Sequence, residues 1–214
     1  MANLNEKVKK VIELLKKEYS HPKVVLDYKN PMELLVATIL SAQCTDVRVN
    51  KITPGLFKRY KTVKDFAYAN LKELEMEIKS TGFYRNKSKN IINSAKKILS
   101  DFNGRVPDSM EKLLTLPGVA RKTANIVLHN AFGKIEGIAV DTHVKRLSKL
   151  IGLTKNDNPN KIEIDLMDIT EKKNWPLINY LLVLHGRKIC IARKPNHLAC
   201  VINKCCDFYQ RQKW

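Results

Sequence analysis

Apolar residues recur at helical spacing along most of this chain, and almost nowhere do they alternate. Val8, Val11, Ile12 and Leu15 form one stripe, Leu34, Leu35, Thr38 and Ile39 a second, and Leu71, Leu74 and Ile78 a third. Ile91, Ile92, Ala95, Ile98 and Leu99 continue the pattern, and Leu177, Tyr180, Leu181 and Leu184 repeat it further on. Residues spaced in this way share one side of a 3.6-residue helix, where they can be buried together. A half-buried strand needs period two instead, and Val24-Val25-Leu26 is the only short extended candidate. The eight glycines and eight prolines mostly fall between the stripes, where helices stop and start. The pattern predicts an all-α protein, with no low-complexity tract, repeat period or long linker.

One segment carries more chemistry than the rest: Leu116-Pro117-Gly118-Val119-Ala120-Arg121-Lys122-Thr123-Ala124-Asn125. It reads as a tight Pro-Gly turn at a helix start, with Lys122 one step inside the new helix. Ala124, Val127, Leu128 and Ala131 give that helix a buried stripe. Met110, Leu113, Leu114 and Leu116 mark a preceding helix, opened by Pro107 and Asp108. A helix N-terminus offers backbone N–H groups and the positive end of the macrodipole, which suits a phosphate. A helix, hairpin, helix unit of this kind grips the DNA backbone without reading base edges. Beyond it, Val140-Asp141-Thr142-His143 opens another amphipathic segment through Val144, Leu147, Leu150 and Ile151.

With 214 residues the chain can bury a good core, as one domain or two small ones. Its formal net charge of +18 favours a polyanion, either nucleic acid or an anionic membrane surface. No apolar run approaches the length of a membrane span, and Met1-Ala2-Asn3-Leu4-Asn5 lacks the apolar core of a signal peptide. Nucleic acid is therefore the expected partner, with no membrane. The competing reading is a lysine-rich, merely solvated surface. Of the five cysteines, Cys44 stands alone, while Cys190, Cys200, Cys205 and Cys206 crowd together. An odd count without a secretory signal argues for a reducing compartment and a metal site. The expected location is cytoplasmic, at the DNA.

These residues closely resemble those of the endonuclease III family, bifunctional DNA glycosylases and abasic-site lyases of the helix-hairpin-helix superfamily. The resemblance runs from about Asn30 to Cys206. It rests on Leu40-Ser41-Ala42-Gln43-Cys44-Thr45-Asp46, Thr81-Gly82-Phe83-Tyr84, the Leu116 hairpin, Ala139-Val140-Asp141-Thr142-His143 and His185-Gly186-Arg187. It implies two helical lobes with a DNA-binding cleft between them. One would be continuous over 23–134, with the helix-hairpin-helix at about 108–132. The other would join 1–22 to 135–214 and carry a cluster loop at 190–206. A monomer is implied, acting in base excision repair on double-stranded DNA that contains damaged bases, oxidised pyrimidines above all, or abasic sites.

The resemblance makes Lys122 and Asp141 the catalytic pair. A lysine amine can attack C1′ of the sugar and form a Schiff base, which acidifies the C2′ protons and permits elimination of the 3′ phosphate. The amine must be neutral to attack, against an ordinary lysine value of about 10.4; burial and a positive helix N-terminus both favour the neutral form. The competing reading of Lys122 is one more surface lysine. Asp141 would stabilise positive charge on the sugar and help move protons, as carboxylates do in glycoside cleavage. It also fits a helix N-cap, and both roles can hold together.

A base inside the duplex must be flipped out to be reached. By resemblance, Gln43 fills the gap in the stack and Phe83, where the family often has leucine, wedges beside the opposite base. A core aromatic is the alternative for Phe83, although the polar Tyr84-Arg85-Asn86-Lys87 after it favours exposure. Leu116, Gly118, Ala120, Thr123 and His143 are the further DNA contacts that the resemblance implies. Ala120 stands where the family usually has glycine, which matters only if that position needs a positive φ.

The family's [4Fe–4S] ligands follow Cys-x6-Cys-x2-Cys-x5-Cys. That spacing falls here on Cys190, His197, Cys200 and Cys206, with histidine second and Cys205 beside the last. Either His197 is a ligand, or Cys205 substitutes for it, or the cluster is labile, three-iron or absent. A zinc site is chemically reasonable too. Arg193 and Lys194, between the first two ligands, would face phosphate. Two rival functions remain. A monofunctional mismatch or adenine glycosylase is opposed by Lys122, and its adenine-specific type also by a chain end at Trp214 that leaves no room for a further recognition domain. The other rival is a non-catalytic helix-hairpin-helix DNA-binding protein.

Overall fold

The computed structural model describes residues 3–20 and 22–212. Met1, Ala2, His21, Lys213 and Trp214, which belong to the lobe expected at 1–22 plus 135–214, lie outside the described residues. In chain order the helices begin with α1 (Leu4–Glu18), α2 (Pro31–Leu40), α3 (Asp46–Arg59), α4 (Val63–Ala67) and α5 (Leu71–Ile78). They continue with α6 (Tyr84–Asp101), α7 (Met110–Leu114), α8 (Arg121–Phe132) and α9 (Thr142–Ile151). The last are α10 (Pro159–Ile169), α11 (Trp175–Lys188) and α12 (Asp207–Arg211). The protein is all-α: no strand occurs among the described residues, and Val24-Val25-Leu26 is irregular. No helix is long and apolar enough to cross a membrane.

The chain forms two compact units, one of them Val25–Glu136 and the other built from the segments on either side of it. In the continuous unit, α2 is the central element. Asn30 caps it by accepting from the Glu33 N–H at 2.9 Å, Pro31 starts it, and every residue from Met32 to Leu40 is buried. A helix apolar all round can only sit inside a core, and α3, α6 and α8 pack around it. The long helix α6 buries Ile91, Ile92, Ala95 and Ile98 on the expected stripe. That stripe also holds Lys87, Ser88 and Ser94, and α4 and α5 pack on the same helix.

In the discontinuous unit, α1 buries Val8, Val11, Ile12 and Leu15. These join Val144, Leu147 and Ile151 of α9, and Ile178, Leu181 and Leu182 of α11, in one core. The buried face of α11 matches the expected one only at Leu181. It runs through Ile178, Asn179, Leu181, Leu182, His185 and Gly186, whereas Leu177, Tyr180 and Leu184 are half-buried. This helix is apolar nearly all round, so periodicity does not choose a face. Hydrogen bonding does: Asn179 Nδ2 donates to Ala139 O at 2.5 Å, and His185 Nδ1 lies 3.1 Å from the Tyr19 hydroxyl, which satisfies both buried polar side chains.

Candidate active site

The hairpin is built from α7, a turn and α8. The preceding helix starts later than Pro107-Asp108: Ser109 is its N-cap, and Asp108 is instead engaged by the Lys134 ammonium at 2.6 Å. The helix is also shorter than its apolar residues suggested, because Leu114 is exposed and Leu116 lies beyond it. In the turn, the Val119 N–H donates to Leu116 O at 3.1 Å. Pro117 and Gly118 occupy the central positions, Gly118 with φ 78°, as a type II turn requires. A Cβ on Gly118 would lie 2.6 Å from Asn90 Nδ2, so glycine is needed for space as well as for φ. Ser94 Oγ donates to Pro117 O at 2.7 Å, which fastens the turn to α6.

No side chain caps α8. Its N-cap is Ala120, with φ −99° and ψ 171°. That φ is open to any L residue, so alanine replaces the family's usual glycine here without strain. Lys122 is the second residue of α8 and half-buried; Thr123 is third and buried. Ala124, Val127 and Leu128 are buried as the stripe predicted, with Ala131 half-buried. Leu116 faces inward at 2 % exposure and its N–H is bonded to Leu113 O, so its side chain anchors the turn.

In the same unit, Gln43 and Phe83 stand out by their backbone. Gln43 has φ 53° in the exposed turn between α2 and α3, and Phe83 has φ 49° immediately before α6. The left-handed region is uncommon for non-glycine residues and concentrates at functional positions. Phe83 is 61 % exposed, which rules out the core-aromatic alternative.

Asp141 belongs to the other unit, where it is the N-cap of α9. Its Oδ1 accepts from the N–H groups of His143 at 2.9 Å and Val144 at 2.8 Å. Both cap bonds use one oxygen, leaving Oδ2 outside the cap. Burial pushes the His143 imidazole below its ordinary value against the pull of Asp141, and the Arg146 and Arg187 cations push it further down. His143 lies against α11 so closely that a Cβ on Gly186 would stand 2.9 Å from its Nδ1. Arg146, which the sequence did not single out, donates to Gly186 O at 3.0 Å and Cys190 O at 2.7 Å, tying α9 to the start of the cysteine loop.

Cys190, His197, Cys200 and Cys206 all line one small, mostly apolar cavity, together with His185 and residues of α9 and α12. Cys205 is not in its lining; it faces a separate pocket beside Gly152 and Asp207. His185 Nε2 lies 3.3 Å from Cys200 Sγ, and burial pushes that imidazole down to about 4. Burial raises the Cys190 thiol and carries Cys200 up to about 11. The Arg146 cation draws the Cys190 thiol part of the way back towards the thiolate, and thiols gathered with an imidazole on one apolar cavity fit a site that a soft metal centre would complete. Among the described residues no three His, Cys, Asp or Glu side chains converge on a single-ion position. The loop also presents Arg193 and Lys194, both exposed.

Comparison with known proteins agrees with these features. Residues 36–172 match the HhH-GPD superfamily of base excision DNA repair proteins. An endonuclease III from a Synechocystis species is 51 % identical over 210 residues, 98 % of this chain and 96 % of that protein. A solved non-covalent endonuclease III–DNA complex superposes with a TM-score of 0.92 at 38 % identity, covering 97 % of each chain. A trapped endonuclease III–DNA covalent intermediate gives the same TM-score, identity and coverage. The chain belongs to the HhH-GPD superfamily and, within it, to the endonuclease III family. An iron–sulfur cluster is expected of that family.

Proposed function

We propose that this protein excises damaged bases, oxidised pyrimidines among them, from duplex DNA and then cleaves the abasic strand, with Lys122 as the nucleophile. The observation that carries this reading is the placement of Lys122 on the first turn of a helix that no side chain caps, directly after the Pro117-Gly118 turn. Such a helix start favours a phosphate beside it. Neutral Nζ attacks C1′, and the base leaves with the electron pair of the glycosidic bond and takes up a proton. Opening of the sugar ring gives an imine between Nζ and C1′. Loss of a C2′ proton then expels the 3′ phosphate, and water releases the lysine. The Asp141 carboxylate stabilises the positive charge that develops on the sugar and assists proton movement, while its cap bonds fix its orientation.

Gln43 fills the space left by the flipped nucleotide and Phe83 wedges beside the opposite base, with Leu116, Gly118, Ala120, Thr123 and His143 contributing to the grip on the strand. Cys190, His197, Cys200 and Cys206 would hold a [4Fe–4S] cluster, which orders the loop bearing Arg193 and Lys194. The chemistry of base removal needs no electron transfer. Borohydride trapping on an abasic duplex tests the reading. Wild-type protein should give a covalent adduct, and Lys122→Gln should give none while retaining affinity for the duplex. Undiminished trapping by Lys122→Gln would assign the chemistry to another amine, and no adduct from DNA-binding wild-type protein would favour a monofunctional glycosylase or a non-catalytic binder.

A further inference from the structure

Lys87 is a lysine on the buried face of α6, only 4 % exposed, and no carboxylate among the described residues pairs with it. Its ammonium donates to two main-chain carbonyls, Leu40 O at 2.8 Å and Thr81 O at 2.9 Å. Each acceptor closes a helical segment, Leu40 ending α2 and Thr81 ending the short 3-10 turn Lys79–Thr81. Terminal carbonyls have no partner within their own helix and lie at the negative end of its dipole, so one buried cation satisfies two such ends at once.

The residues just beyond the two carbonyls are more informative still. Gln43, with φ 53°, comes three residues after Leu40, and Phe83, with φ 49°, comes two residues after Thr81. Of the three non-glycine residues with positive φ among the described residues, these are the two in the proposed DNA-probing loops; the third, Asn103, lies past the far end of α6. Strained backbone persists only where the surroundings hold it. The same face of α6 meets the hairpin one and two turns further on, where Asn90 lies against Gly118 and Ser94 Oγ donates to Pro117 O.

We propose that Lys87 is a positioning residue for base flipping, its ammonium fixing the Gln43 turn and the Phe83 turn to one helix so that filler and wedge enter the duplex in register. The proposal rests on the reading of Gln43 and Phe83 given above. Burial lowers the affinity of this amine for its proton, against a smaller pull from Cys44, and the two carbonyls are the groups that bond its ammonium. Removing the ammonium leaves both acceptors buried and unsatisfied, and the turns can relax by fractions of an ångström. Misplacement on that scale is enough to slow a step that depends on alignment by about tenfold to a hundredfold.

The test compares two duplexes, one carrying an oxidised pyrimidine and one carrying a preformed abasic site, with rates expressed per active site titrated by borohydride trapping. Lys87→Met should slow base removal by at least about tenfold while slowing cleavage of the abasic duplex by no more than about threefold, because no base remains to be unstacked there. In a Gln43→Ala/Phe83→Ala background Lys87→Met should add little, since the loops it positions have lost their tips. Equal losses on the two duplexes, or full additivity in that background, would overturn the proposal and leave Lys87 a structural lysine. If Lys87→Met does not fold, Lys87→Gln, a shorter neutral donor, is measured against the same two criteria. Wild-type protein that forms no adduct would defeat the functional reading itself. Wild-type protein that traps, with base removal impaired by Gln43→Ala/Phe83→Ala but not by Lys87→Met, would defeat this inference alone.

Discussion

Replacing Gly118 with alanine should destabilise the hairpin by about 2–5 kcal/mol, from two sources that can be measured apart. The first is conformational. Gly118 has φ 78°, and an L residue held in the left-handed region costs about 1–2 kcal/mol. The second is steric. The added Cβ would lie 2.6 Å from Asn90 Nδ2 and 2.9 Å from both Asn90 Cγ and Asn90 Cβ, and overpacking of this sort costs about 1–3 kcal/mol. Asn90→Ala removes the Nδ2 and Cγ overlaps but keeps the one to Cβ, so it should recover about 1–2 kcal/mol of the steric part and none of the conformational part. Urea unfolding of parent, both single variants and the double variant gives the coupling directly, provided the slope with denaturant is unchanged. Affinity for an abasic duplex should fall and recover in step. An additive cycle would refute the reasoning, as would a Gly118→Ala protein within about 0.5 kcal/mol of the parent, because the close approach of Asn90 would then carry no energy.

Asp141→Asn keeps an oxygen that can accept from the His143 and Val144 N–H groups, so stability should change by less than about 1 kcal/mol while base removal falls about a hundredfold; near-normal turnover would reduce Asp141 to a cap. Given a net charge of +18, log affinity for DNA should decline with log salt by roughly 0.9 per phosphate neutralised, and a flat titration would detach the basic surface from DNA binding. Purified protein should be brown with about four irons per chain. His197→Ala should lose iron readily, His197→Cys should retain it, and Cys205→Ser should match the parent because Cys205 stands outside the cavity that the other four residues line. Iron lost from Cys205→Ser but not from His197→Ala would reverse that assignment.

Much of this protein is legible in its sequence, for a reason that differs from element to element. The stripes of α1, α2 and α6 are readable because helical periodicity is a property of neighbouring residues. Asp141 can be read as a cap because its two acceptor bonds reach only two and three residues along the chain. The Pro117-Gly118 turn announces itself by the φ that each residue favours. Where local signals conflict or are uniform, reading fails: α7 starts after Ser109 while the Asp108 carboxylate pairs with the remote Lys134, and the apolar surround of α11 conceals which side its polar residues bury.

The sequence by itself thus determined the all-helical class, the hairpin with Lys122 just inside α8, and the capped start at Asp141. Lys87 shows what it could not determine. The sequence reads it as part of the polar, exposed run after Phe83, yet it is buried, and its acceptors lie 47 residues before it and 6 residues before it, beyond the reach of any local pattern. Cys205 and Cys206 are adjacent in the chain, yet only Cys206 lines the cavity with Cys190, His197 and Cys200. Periodicity and capping are set by interactions within a few residues, whereas burial partners, close approaches and shared cavities arise only when segments remote in sequence pack together, and that packing is what tertiary structure alone decides.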